Sequence, residues 1–279
     1  MLAEFITSRF FGRPVELYKF TYGPRAEDVH LYTDGETPIV HGGQTYSPVT
    51  IKRGPTSSNG TLDKTMLEVV LPHTLKVPQM FRIFPPSSTV SLTILQGQAG
   101  DPDAQFVVAW AGRIVSVSFE GIEAKLSGEP ISTSFRRSGL RRNYQYMCPH
   151  VVYGPHCRAN KPSATTVVTV AAVSGRGVTL TSALGSAELH TGGMIEWTTS
   201  AGLPESRTIL EVGATTEGAT TMLLTGIPTG MTAGMSISAV RGCKHTLSAC
   251  KNDHNNAVNF GGDPWIPMKN PIGNTSPFQ

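Results

Sequence analysis

Long apolar runs are absent from this sequence. No stretch of about 18 apolar residues occurs, so no membrane-spanning helix is expected. The first twenty residues carry Glu4, Arg9 and Arg13 where a signal peptide needs an uninterrupted apolar core, and the reading is a chain made in a cytoplasm. Charge is scarce as well. Asp, Glu, Lys and Arg make up 15% of the chain, and the net charge is only +3, too little to mark a nucleic-acid binder by composition. Catalytic signatures are missing: there is no G-x-S-x-G, no H-E-x-x-H and no phosphate-binding glycine loop, so no enzyme activity is expected. Cysteine is rare, at four residues.

Gly (29), Pro (20) and many Ser and Thr fill the space left by charge and large apolar residues. That mixture favours short strands joined by turns over long helices. Residues 15–22 alternate as a strand does. Residues 28–51 read as a β-meander, with turns at Asp34-Gly35-Glu36 and Gly42-Gly43, since both dipeptides supply the positive φ of tight hairpins. Further strands are expected at 65–71, 89–95, 105–110, 112–119 and 121–126, with one helical turn around Met80. Residues 163–241 return to Thr/Val/Gly-rich strands at the spacing of a small barrel. The expectation is a mainly β protein. It has an N-terminal arm (1–14), a β domain (15–135), a cysteine-bearing unit formed by 136–162 and 242–279 with a C-terminal arm, and a small inserted β-barrel (163–241).

All four cysteines lie in the segments flanking the inserted barrel: Cys148 and Cys157 before it, Cys243 and Cys250 after it. Cysteines serving as small core residues would be scattered among the strands. Three chemistries compete on spacing alone. Two disulfides need an oxidising compartment. Zinc usually takes tighter C-x2–4-C knuckles, although His150, His156 or His245 could substitute for a thiolate. An iron–sulfur cluster needs only four thiolates and tolerates wider spacing.

The C-x8-C and C-x6-C pairs, the following Ala257-Val258-Asn259-Phe260-Gly261-Gly262-Asp263-Pro264-Trp265-Ile266-Pro267, and the Leu31-to-Ile51 pattern together resemble the tail-tip or baseplate hub proteins of siphophages and gene transfer agents. The resemblance spans nearly the whole chain and is most specific at 140–160 and 240–271. It implies a hub-type β-barrel and a [4Fe-4S] cluster on Cys148, Cys157, Cys243 and Cys250. It implies a virion location at the tail tip. It also implies a ring of this chain, a homotrimer, bound to the distal tail protein and to central tip or fibre proteins. DNA would pass the lumen with at most passive contact. A zinc-stabilised adhesin and an iron–sulfur redox protein are the competing classes.

Around the cysteines, His150, His156 and His245 are expected to donate hydrogen bonds rather than ligate. Phe260, Gly261 and Trp265 are expected to cap the site, the aromatics excluding water and the glycine letting backbone come close. The basic run Arg136, Arg137, Arg141 and Arg142, with Tyr144 and Tyr146, reads as charge compensation beside a thiolate site. Asp101 and Asp103 read as a turn rather than a cation site.

Overall fold

The computed structural model describes residues 7–8, 12–23, 25–55, 66–136, 139, 143–200, 202–213 and 219–266. The chain divides into two compact units, Met1–Ser138 and Gly139–Gln279. No helix among the described residues is long and apolar enough to cross a membrane. Most of the expected arms, and Arg137, Arg141 and Arg142, lie outside the described residues.

Among the described residues, the first unit forms one nine-stranded sheet. Its strands are β1 (Pro14–Thr21), β2 (Val29–Thr33), β3 (Ile39–His41), β4 (Gln44–Pro48), β5 (Lys52–Arg53), β6 (Leu67–Pro72), β7 (Ser91–Gln98), β8 (Val107–Glu120) and β9 (Glu123–Pro130), in the order β3-β4-β2-β1-β7-β8-β9-β6-β5. β1 pairs antiparallel with β7 along its whole length, from Pro14 opposite Gln98 to Thr21 opposite Ser91. Alternation drives the packing: Leu67, Val69 and Leu71 of β6 turn inward and meet a core that includes Leu17, Phe20, Leu92, Ile94 and Leu126. Each such side chain contributes about 1.5–3 kcal/mol when fully buried. The expected helical turn is α1 (Lys76–Met80).

Two local readings change. The 28–51 segment is not a simple meander. Gly42 and Gly43, at φ +58° and +74°, do turn β3 into β4, as such a hairpin requires. β2, however, pairs with β4 in parallel, Tyr32 opposite Ser47. Asp34 explains why no hairpin follows β2: its carboxylate accepts the Glu16 N–H at 2.7 Å, and Thr33 Oγ1 donates to the Glu16 carbonyl at 3.0 Å. The chain is tied back to β1 at the point where a hairpin would begin. The strands expected at 105–110 and 112–119 form the single strand β8, whose register against β7 shifts between Ile94 and Leu95. Gly112 stays within the strand because a Cβ there would strike the Glu129 carbonyl and the Trp110 ring. The loop acids are satisfied locally, with the Asp101 carboxylate accepting the N–H groups of Asp103 at 3.1 Å and Gln105 at 3.4 Å.

The second unit contains a closed six-stranded barrel. Its strands are β10 (Thr165–Ser174), β11 (Gly177–Leu180), β12 (Met194–Thr198), β13 (Pro204–Val212), β14 (Thr221–Leu224) and β15 (Ser236–Val240), closing in the order β10-β11-β14-β13-β12-β15. Inward positions alternate along each strand and supply Val168, Val170, Val178, Leu180, Ile195, Ile209, Met222, Leu224 and Ile237 to one core. Side chains fill the interior, as expected for so few strands. One inward pair is charged: Arg207 donates to Glu205 at 2.8 Å and lies over the Trp197 ring, 5.5 Å from its centroid.

Candidate metal centre

Barrel closure brings the two cysteine segments together. β10 and β15 are antiparallel neighbours with Thr165 opposite Val240, so the chain enters and leaves the barrel at one place. The pairing continues past the strands, the Arg241 N–H donating to the Ala164 carbonyl at 3.0 Å. Gly242 then passes so close to Thr191 and Gly193 that a Cβ would collide with their backbone. Its N–H donates to the Leu189 carbonyl at 2.8 Å. Cys243 therefore starts from a fixed point on the barrel.

After Cys243, Thr246 caps α2 (Leu247–Asn252) by accepting the Ala249 N–H at 3.2 Å. Cys250 lies on this helix and is buried. The other three cysteines are half-buried, and all four are free thiols. Hydrogen bonds tie the two segments. The Cys148 N–H donates to the His245 carbonyl at 2.9 Å, while the His245 N–H reaches Cys243 Sγ at 3.3 Å. Asn256 donates from Nδ2 to the Cys157 carbonyl at 2.6 Å and from its N–H to the Cys250 carbonyl at 2.9 Å. The four thiols thus share one neighbourhood although Cys148 and Cys250 are about a hundred residues apart.

Backbone and amide donors point at the sulfurs. The His245 N–H lies 3.3 Å from Cys243 Sγ, the Gly261 N–H 3.4 Å from Cys148 Sγ, and Asn256 Nδ2 3.7 Å from Cys157 Sγ. Burial, first, and then the negative charges of the other three thiolates push the Cys250 thiol up to about 11. Burial raises Cys243 as well, while the His245 N–H pulls the other way. Cys243 and Cys250 held this way resist ionising, a balance that a nearby cation would reverse. Among the described residues, no three His, Cys, Asp or Glu side chains close on a point as the ligands of one ion do. The donors in this neighbourhood are four soft sulfurs, the residue type that thiolate-bound metal groups take.

The expected neighbours divide. His245 sits within the site, its Nδ1 2.9 Å from the Cys148 carbonyl oxygen. His150 and His156 face each other in a tilted arrangement, ring centroids 5.7 Å apart. Gly261 and Gly262 do allow a close approach: a Cβ on Gly261 would enter the His150 ring, and one on Gly262 would lie 2.6 Å from the Tyr146 carbonyl oxygen. Phe260 is half-buried, whereas Trp265 is 86% exposed. Val151 and Val258, in the two cysteine segments, are exposed as well. Tyr144 hydrogen-bonds Asp263, which raises the Tyr144 pKa.

Three contributors escaped sequence reasoning. Asn256 is buried between the segments. Tyr153, at φ +59°, donates to the Arg241 carbonyl at 2.8 Å and is driven up to about 12, chiefly by burial and then by Cys243. His254 packs edge-on to Tyr153 and donates through Nε2 to the Gly242 carbonyl at 3.0 Å. Their only signal in the sequence is position within a few residues of a cysteine.

Residues 188–270 match the model of a family described as "Phage conserved hypothetical protein BR0599". The match takes in the later barrel strands and the second cysteine pair. No curated protein matches the chain in sequence. In three dimensions the chain is similar to a chain of the "Virion of native gene transfer agent (GTA) particle", with a TM-score of 0.78 at 16% identity, covering 96% of this chain and 92% of that one. At that identity the likeness is one of fold.

Proposed function

We propose that this chain is a non-catalytic structural subunit of a phage-type virion, a tail-tip hub in which Cys148, Cys157, Cys243 and Cys250 ligate a [4Fe-4S] cluster. The observation that carries the reading is the meeting of four free thiols from two distant segments, on a fold similar to that of a gene transfer agent virion protein. When bound, such a cluster supplies four iron–thiolate bonds that cross-link both segments. The chain's own groups prepare for it. The N–H groups of His245 and Gly261 and the Asn256 amide offer hydrogen bonds to sulfurs that become more negative on ligation. All four thiolates are consumed in holding the group, so no ligand position is left for a substrate. That economy suits a structural role.

In the tip, the chain is read as a ring-forming subunit, a homotrimer, seated between the distal tail protein and the central tip or fibre proteins. Its low charge suits a lumen wall that DNA passes without being held.

The test begins with full-length protein purified without oxygen. The expected result is a brown protein with a broad band near roughly 400 nm, about four irons and matching sulfide, lost in Cys148→Ser. A colourless protein carrying one zinc, or two disulfides, would sink the cluster. The virion role is tested separately, by antibody labelling of particles in the electron microscope. Label at the distal end of the tail is expected, and its absence from particles would overturn the hub assignment.

A further inference from the structure

We propose that Asn256 is the positioning residue of the cysteine site, fixing one cysteine from each segment and donating to the Cys157 sulfur; this rests on the cluster reading above. Asn256 is only 8% exposed, and each of its four polar groups is engaged. Its side-chain Nδ2 donates to the Cys157 carbonyl at 2.6 Å and approaches Cys157 Sγ at 3.7 Å. Its backbone N–H donates to the Cys250 carbonyl at 2.9 Å. Its own carbonyl accepts the Cys250 thiol at 3.2 Å. Its Oδ1 accepts from Asn259 Nδ2 at 2.7 Å.

Cys157 and Asn256 are 99 residues apart, so this amide is a long-range tie. The Cys250 S–H bond exists only while that thiol is neutral and is exchanged on ligation. The backbone bond to Cys250 and both Nδ2 contacts to Cys157 persist. Only a primary amide fits the set: two hydrogens serve the carbonyl and sulfur of one cysteine, and an oxygen remains for Asn259. A carboxylate offers acceptors alone and would face the Cys157 carbonyl with a charge.

The experiment compares anaerobically purified full-length wild type with Asn256→Leu, Asn256→Gln and Asn259→Ala. Iron and sulfide per chain, the rate of iron loss to a chelator and the midpoint potential are read, with the barrel's integrity followed by circular dichroism. Asn256→Leu is expected to lose iron on the order of tenfold faster or more. Whatever cluster it retains is expected to reduce at a more negative potential, because an N–H···S bond favours the more negative, reduced state. Asn259→Ala, which leaves both contacts to Cys157 in place, is expected to match wild type in potential. If Asn256→Leu does not fold, Asn256→Gln decides. A restored iron content with a shifted potential supports the assignment, and a wild-type potential and loss rate overturn it. A folded Asn256→Leu with wild-type loss rate and potential overturns the role of Asn256 while leaving the cluster intact. A wild-type chain with neither iron nor sulfide instead removes the cluster reading itself.

Discussion

Cys148 and His245 are joined twice, the Cys148 N–H donating to the His245 carbonyl at 2.9 Å and His245 Nδ1 donating back to the Cys148 carbonyl at 2.9 Å. An oxygen acceptor requires the proton on Nδ1, so the contact fixes the tautomer. The same residue's backbone N–H reaches Cys243 Sγ, and together with Asn256 it gives each cysteine of the first segment a partner in the second. The cost is conformational: His245 sits at φ +58°.

That cost makes His245 informative. Removing the imidazole loses a hydrogen bond with a net worth of about 0.5–1.5 kcal/mol. His245→Ala keeps the left-handed strain, whereas His245→Gly relieves it. In chemical denaturation, His245→Ala is expected to be destabilised by about 1 kcal/mol and His245→Gly by less. A glycine variant less stable than the alanine one would contradict the backbone assignment.

Gly262 is expected to be the least replaceable glycine of the C-terminal loop. A Cβ there would lie 2.6 Å from the Tyr146 carbonyl oxygen and 2.9 Å from the Cys148 nitrogen, both backbone atoms beside a candidate ligand. Backbone cannot rotate aside, so Gly262→Ala should cost about 1–3 kcal/mol by overpacking. Gly261→Ala meets the His150 ring instead, and a side chain has room to yield. Thermal unfolding should rank the two, with iron content falling in the same order.

Much of this arrangement was legible in the sequence where the signal is local. Gly42-Gly43 announced its hairpin, and the alternation in 163–241 announced a barrel, because turn φ and strand period are set by neighbouring residues. The clustering of Cys148, Cys157, Cys243 and Cys250 around an inserted domain also pointed to one place. What stayed hidden depends on partners far along the chain. The parallel pairing of β2 with β4 hangs on Asp34 reaching Glu16. Asn256 looks like any loop asparagine until Cys157 is seen beside it. Trp265 was expected to be a cap because large aromatics bury well, yet its side chain stands in solvent.

The exposure of Trp265 carries its own prediction. Surface substitutions away from caps, cavities and buried polar groups change stability by about 0.5 kcal/mol or less. Trp265→Ala is therefore expected to keep wild-type unfolding behaviour and wild-type iron content in the isolated chain. A large loss of either would show that the indole covers the sulfurs in solution.

The barrel unit is expected to weaken in acid because of His190. Its side chain is 1% exposed, its Nδ1 is 3.3 Å from the Ser186 carbonyl oxygen, and its Nε2 has no hydrogen-bond partner among the described residues. Burial holds its pKa below the ordinary 6.5, the nearby charge of Arg241 adds to the depression, and the Ser186 carbonyl opposes it. With the folded pKa below the unfolded one, the unfolded chain takes up a proton first. The stability is complete above pH 6.5 and falls as pH drops from there toward the depressed value. The slope for one such group is at most about 1.4 kcal/mol per pH unit. His30 in the first unit is depressed by burial too, so whole-chain unfolding would mix two titrations. Urea unfolding should therefore be followed through Trp197, buried in the barrel, in a Trp110→Phe, Trp265→Phe background. Wild-type His190 should give a midpoint that declines below pH 6.5. His190→Gln, which does not titrate, should flatten that decline even if its midpoint at neutral pH is lower. A slope unchanged by the substitution would assign the acid sensitivity to another group.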